Sequence, residues 1–323
     1  MHERRKGLTP KRTALLLCAL LIAAAVLWLL YAIYIDGAMT WGDVYEALGL
    51  QGGVAQNASP ATSPADGAVR VTFVDVGQGD CIVIEAGESV VMIDAGDFAA
   101  ETTVLSFLAA HGIKKIDYLV ATHPHTDHIG SMQAVVEGCE IGQILFANVP
   151  ADMTPTNSTY RYLLEAIQKK GAPVSVPVAG DEIALDKGVL RVLYAGAGSD
   201  LNNCSLVLQY VYGDTRFLLT GDAEFEVEDA LCDQYGDALR SDVLKAGHHG
   251  TKYATGNGIL AEARPSYLVI MCGLDNEYGY PKQAVLDRAA KAGAEILRTD
   301  LQGDITFTSD GRTLTPSVEK EAA

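Results

Sequence analysis

His123-Pro124-His125-Thr126-Asp127-His128 follows directly on the apolar run 116–121. Six residues here hold four side chains able to bind a metal, at a point where an apolar strand ends and the backbone leaves the sheet. A strand end can aim neighbouring side chains at one spot, so the group reads as a metal site. The spacing divides it. His123 and His125, one residue apart, can grip one cation, while the adjacent Asp127 and His128 can turn towards a second. Imidazole combined with carboxylate suits zinc, manganese or iron and disfavours calcium and magnesium, which prefer all-oxygen shells.

Four side chains cannot close two metal sites, so further ligands must come from elsewhere. The chain has seven histidines. Apart from the cluster and the isolated His2 and His111, only His248 and His249 remain, and they follow the apolar stretch 243–246. Carboxylates at strand ends complete the candidates: Asp94 after 90–93, and Asp222 after 217–221. An Asp after a single strand usually just opens a turn. Four apolar strands that each end in a metal-capable residue form a more specific pattern.

These motifs resemble the HxHxDH signature and trailing ligands of the metallo-β-lactamase fold. Within that superfamily, the series 75–80, 203–208, 218–222, 247–251, 276–281 and 298–300 is similar to the hydrolase domain of ComEC-type competence (DNA uptake) proteins. The resemblance covers about residues 69–310. It implies an α/β chain folded as a four-layer αββα sandwich, with a dinuclear site whose cations are zinc first, manganese as the alternative. On this reading His123 and His125 serve metal one, Asp127, His128 and His249 serve metal two, and Asp222 bridges them. His248 is the alternate to His249. Asp94, Asp75 and Asp80 would orient ligands from behind, and Asn203, Ser205, Tyr278 and Tyr280 would touch substrate. The sequence departs from the pattern twice. No histidine lies between His128 and His248, where many relatives carry a third imidazole for the first metal, and Asn202 or Asn203 falls in that region. Tyr280 stands where relatives commonly have a histidine before Pro281.

Composition agrees with a large core and many strand-to-loop turns: 49% of the chain is hydrophobic and 32 of its 323 residues are glycine. Residues 14–35 carry no charge, and 22 helical residues reach roughly 33 Å, enough to span a bilayer core. Arg4, Arg5, Lys6, Lys11 and Arg12 precede that segment and Asp36, Asp43 and Glu46 follow it. The positive-inside rule then places 1–13 in the cytoplasm and the catalytic domain outside. A cleaved signal peptide is the alternative, but no convincing small-residue cleavage site follows. Residues 36–68 read as connector and flexible linker, 69–315 as the hydrolase domain and 316–323 as a frayed tail. Cys81, Cys139, Cys204, Cys232 and Cys272 are an odd number without CxxC spacing, and read as small core residues.

The resemblance points to DNA or another phosphodiester as substrate. Charge argues for a local contact only: from residue 67 on, 19 Lys and Arg face 36 Asp and Glu, so no long basic footprint is evident. A local groove using Lys114, Lys115, Lys245, Lys252 and Arg298 is the expectation that reconciles the two. Small or cell-envelope phosphoesters are the alternative substrates, and a non-catalytic DNA-uptake partner is the alternative role. One span and no transport bundle mean that this chain does not itself move DNA.

Overall fold

The computed structural model describes residues 67–321. The expected membrane anchor at 14–35, its cytoplasmic leader and nearly all of the connector lie outside these residues. Among the described residues, no helix is long and apolar enough to cross a membrane.

Short β-rich runs alternate with turn residues and build two sheets. The first half of the chain supplies β1 (Val69–Phe73), β2 (Ile82–Ala86), β3 (Ser89–Ile93), β4 (Lys115–Ala121), β5 (Glu140–Phe146) and the two-residue β6 (Val174–Ser175). The second supplies β7 (Glu182–Ala184), β8 (Val189–Tyr194), β9 (Val207–Tyr212), β10 (Thr215–Leu219), β11 (Val243–Lys245), β12 (Tyr267–Ile270) and β13 (Glu295–Arg298). The chain then returns to the first sheet with β14 (Ile305–Ser309) and β15 (Leu314–Val318). The orders are β15-β14-β1-β2-β3-β4-β5-β6 and β13-β12-β11-β10-β9-β8-β7.

Period-two alternation explains the layering. Val69, Val71 and Phe73 of β1 and Ile82, Ile84 and Ala86 of β2 point between the sheets, where they meet Leu208, Phe217, Val243 and Val269. Val83, Met92 and Leu119 face the other way, onto α1 (Glu101–Ala110), α3 (Met132–Gly138) and α4 (Ser158–Lys170). The four-residue α2 (Thr126–Ile129) lies between α1 and α3 in sequence. Leu218, Leu244 and Leu268 pack in the same manner under α5 (Phe225–Tyr235), α6 (Asn257–Ala263) and α7 (Gln283–Ala292). Three apolar cores separated by two sheets make the αββα sandwich expected from the sequence.

The tail is a correction. Residues 316–318 belong to β15, and Val318 pairs opposite Ile305. Pro316 hid the strand, since a proline is tolerated in a strand only where its missing N–H has no ladder partner, as on the sheet edge that β15 forms. The cysteine expectation holds: Cys81, Cys139, Cys204 and Cys272 are buried, Cys232 is partly so, and all five are free.

Candidate metal centre

Strands β3, β4 and β5 run parallel, as do β10, β11 and β12. Parallel strands discharge their loops at one edge, and ligands in open α/β sheets gather outside those carboxyl ends. Asp94 follows β3, the 123–128 motif follows β4, Asp222 follows β10, and His248 and His249 follow β11. The fold thus brings four sequence-distant loops to one place.

Asp222 is the hub. Its Oδ2 lies 3.3 Å from His128 Nε2, 3.4 Å from His249 Nε2, and 3.8 Å from both His123 Nε2 and His248 Nε2. Asp127 Oδ2 is 3.2 Å from His249 Nε2. Ligand atoms of Asp127, His128, Asp222 and His249 all fall within 4.8 Å of one another. His123 Nε2 and His125 Nδ1 face each other at 3.0 Å, a spacing suited to two ligands about 2.1 Å from a shared cation.

The imidazoles of His128, His249 and His123 are oriented from behind. The Thr122 amide donates to Asp94 Oδ1 at 2.8 Å and its hydroxyl to Oδ2 at 2.6 Å, and the same Oδ2 meets His128 Nδ1 at 2.7 Å. His249 Nδ1 lies 3.0 Å from the Met271 carbonyl, which can only accept. Both arrangements put the proton on Nδ1 and free Nε2 for a cation. Ser205 Oγ accepts from the Asp222 amide at 3.0 Å and sits 3.3 Å from His123 Nδ1. Backbone geometry contributes as well. Asp94, His248 and His249 adopt left-handed φ values of 58°, 44° and 54°, a conformation that costs a non-glycine residue about 1–2 kcal/mol. Gly79 has φ 135°, and a Cβ there would stand 2.2 Å from the Asp127 carbonyl oxygen. Only glycine lets the 77–80 turn lie against the metal-binding loop.

A divalent cation fits this donor set. His128 Nε2, His249 Nε2, Asp222 Oδ1 and Asp80 Oδ1 are buried without a hydrogen-bond partner, and orphaned polar atoms of this kind call for an ion or another explanation. Burial works against charge on His128, yet the carboxylates of Asp222 and Asp94 outweigh it and hold that imidazole protonated well above its ordinary range. His249 is likewise raised against its burial, by Asp222, Asp127 and Asp80. Burial opposes ionisation of Asp222, but His249 and His128 keep it ionised well below the usual carboxylate range.

Several expected roles change. Ser205 is fully buried and positions Asp222 and His123, so it does not contact substrate. Asn203 is also buried: its Oδ1 accepts from the Glu224 amide and its own amide donates to Asp200, which makes it a turn residue. Asn202, its neighbour in the region of the missing imidazole, lines the cavity. The Asp75 carboxylate accepts from Gly77 and lies in the wall of an adjoining groove rather than behind a ligand. Asp80 does sit behind the ligands, with Oδ1 3.4 Å from His249 Nδ1. Lys245 leaves the proposed phosphate groove altogether. It is buried, with Nζ 2.6 Å from Asp80 and donating to the Gly221 carbonyl at 2.7 Å. Lys115 and Arg298 are held by Asp117 and Asp300. Tyr278 and Tyr280 stack at 5.5 Å and 17° beside a cavity of about 290 Å³, which His125, Asp127, His248 and the buried His249 also line.

A two-sheet α/β sandwich with a histidine–aspartate cluster at its carboxyl edge defines a metal-dependent hydrolase of the metallo-β-lactamase type. Residues 74–273 match the family model of the metallo-beta-lactamase superfamily, and the chain belongs to that superfamily. Its relatives include ComE operon protein 3 of Bacillus subtilis, 30% identical over an alignment of 273 residues that covers 77% of this chain and 34% of that protein. Competence protein ComA of Neisseria gonorrhoeae is 30% identical over 239 residues, 73% of this chain and 32% of its own length. The chain thus spans about a third of these relatives. Among solved structures, the metallo-beta-lactamase fold protein YhfI of Bacillus subtilis aligns with a TM-score of 0.47 at 12% identity, over 77% of this chain and all of that one.

Proposed function

We propose that this chain is a membrane-anchored, extracytoplasmic metallohydrolase that cleaves phosphodiester bonds, with DNA strands as the leading substrate. The observation that carries the catalytic part is the convergence of four imidazoles on the Asp222 carboxylate, with Asp127 beside them. Two divalent cations bound there would activate water near neutral pH and neutralise charge on the phosphate oxygens. His123 and His125 would hold the first, Asp127, His128 and His249 the second, and Asp222 would reach both. The intact ligand set favours catalysis over a silent DNA-binding role.

The chain's own residues shape what can approach. Asp127 is the partly exposed carboxylate of the cluster, with 30% of its side chain accessible, so substrate enters past it. The stacked Tyr278 and Tyr280 offer a flat face to an unpaired base, a contact worth about 1–3 kcal/mol per base in single-strand binders. The similarity to a competence protein, joined to the motif resemblance to DNA-uptake hydrolase domains, supports DNA as the substrate.

One observation favours small or cell-envelope phosphoesters instead. The groove of about 900 Å³ beside Asp127 is lined by Asp75, Asp97 and Glu277, by Asp300, which Arg298 neutralises, and by one amine, Lys320. Such a wall repels a long polyanion.

The test loads the full chain, in detergent, with zinc or manganese. It is offered bis(p-nitrophenyl) phosphate, single-stranded DNA, duplex DNA, a phosphomonoester, a lactam and a thioester. Turnover of the diester and of single strands is the expected result. Opening of the lactam or thioester with no phosphodiester turnover would reject the reading. For location, protease added outside intact cells should degrade the domain, and protection until lysis would reject the orientation.

A further inference from the structure

Metal one lacks the imidazole that the sequence does not supply between His128 and His248, and the structure holds a candidate for it in an unexpected place. His248 stands outside the tight quartet of Asp127, His128, Asp222 and His249. It nevertheless points its Nε2 at the same Asp222 oxygen, at 3.8 Å, matching the distance of His123 Nε2 from that atom. It shares the cavity with His125. The two adjacent histidines diverge: His249 is buried against Asp127, while His248 is partly exposed and packs edge-on to Tyr280 at 5.8 Å between ring centroids.

His248 also has the backing of a ligand. Its Nδ1 lies 2.9 Å from Glu224 Oε1, and a carboxylate there fixes the proton on Nδ1 and leaves Nε2 free. Glu224 stands two residues beyond Asp222, so one loop presents both a bridging carboxylate and the group that orients the next ligand. The pair His248–Glu224 repeats the pair His128–Asp94, where Nδ1 meets the carboxylate at 2.7 Å. The left-handed backbone at both His248 (φ 44°, ψ 55°) and His249 (φ 54°, ψ 21°) lets both successive rings reach Asp222 Oδ2 while standing nearly perpendicular to each other, at 74°.

We propose that His248 and His249 are not alternatives: His249 ligates metal two, and His248, held by Glu224, completes metal one with His123 and His125. This inference rests on the dinuclear reading above and deepens it.

The experiment counts metal on the full chain in detergent, by elemental analysis after equilibration with buffered free Zn²⁺ and by absorption of Co²⁺ added alone. Circular dichroism checks that each variant is folded. The wild-type chain should hold two ions. His248→Ala and His123→Ala should each hold one, and the double variant should still hold one, because both changes empty the same position. His248→Ala/His249→Ala should hold none. Glu224→Gln, at a partly exposed position, should keep the fold and weaken one ion by about 10–100-fold while sparing the other. Two ions with unchanged affinity in His248→Ala would overturn the assignment and leave the dinuclear reading intact. So would loss of both ions in His123→Ala/His248→Ala, or loss of one ion in Asn202→Ala, whose buried Oδ1 is the rival donor. Fewer than two ions on the wild-type chain would overturn both this assignment and the dinuclear reading.

Discussion

Lys245 Nζ lies 2.6 Å from Asp80 and 3.6 Å from Asp222, and all three side chains are buried. Burial alone would discharge this ammonium. The two carboxylates reverse that and raise Lys245 above its ordinary value. The lysine works as an internal countercharge for the metal loops, and not as a hand for substrate phosphate.

Removing that countercharge should therefore act on stability. Lys245→Met takes from buried Asp80 its nearest cation and leaves the two carboxylates only the imidazoles of His128 and His249, which should cost up to about 3–5 kcal/mol by chemical denaturation of the metal-free protein. Adding Asp80→Asn should restore part of the loss. Additive losses in the double variant would show that the pair is not coupled.

Asp94 should tune metal affinity through His128. Its carboxylate fixes the Nδ1 proton, so Asp94→Ala should weaken binding of the adjacent ion by about 10–100-fold in a chelator competition. Unchanged affinity would mean that Thr122 and packing suffice to place the ring.

Metal uptake should release protons. In the metal-free cluster, His128 and His249 are held protonated above their usual range, so their Nε2 atoms must shed protons to become ligands. Calorimetry in buffers of different ionisation enthalpy should report that release. Added zinc should also raise the melting temperature, and a chelator should lower it. A buffer-independent binding enthalpy would contradict the assignment.

Hydrolysis should depend on the cluster and only modestly on the cavity wall. Asp127→Ala and His128→Ala should reduce turnover of bis(p-nitrophenyl) phosphate to background in folded protein. Tyr280→Phe should keep most of it, since the change removes a hydroxyl and leaves the stacking ring in place.

Glu228 gives a pH signature away from the metal. Burial lifts its carboxyl to about 7, although the Thr255 and Gly256 amides donate to it and favour the ionised form. A folded-state value above the unfolded one favours the protonated carboxyl. Its contribution is complete below the unfolded value of about 4.3 and is lost as pH rises through about 7, a swing of at most about 3–4 kcal/mol. Glu228→Gln should flatten the stability profile across that window. A profile parallel to wild type would show that another group sets the slope.

The strand-end logic made much of the site readable beforehand. His123, His125, Asp127 and His128 are local in sequence, and Asp94, Asp222 and the histidine pair each follow an apolar run at the one place where a sheet can present them. Asn203 and Ser205 belong to a motif that adjoins the site in sequence, yet their side chains turn inward. The direction of a loop residue depends on what packs beneath it. Glu224 escaped notice for a related reason: one carboxylate among many acidic residues acquires meaning only beside His248. Pro316 makes the last strand read as a frayed tail, although β15 pairs with β14 along its whole length.

The sequence by itself determined which residues can bind a metal and, through the resemblance its motifs carry, the superfamily and the sandwich that this resemblance implies, because strand ends and ligand chemistry are properties of neighbouring residues. Tertiary structure decided the rest. It placed both His248 and His249 around Asp222, hid Lys245 between two carboxylates, and set an acidic groove beside Asp127. Each of these depends on which loops the two sheets bring to a common edge, a relation between residues far apart in the chain that no local pattern encodes.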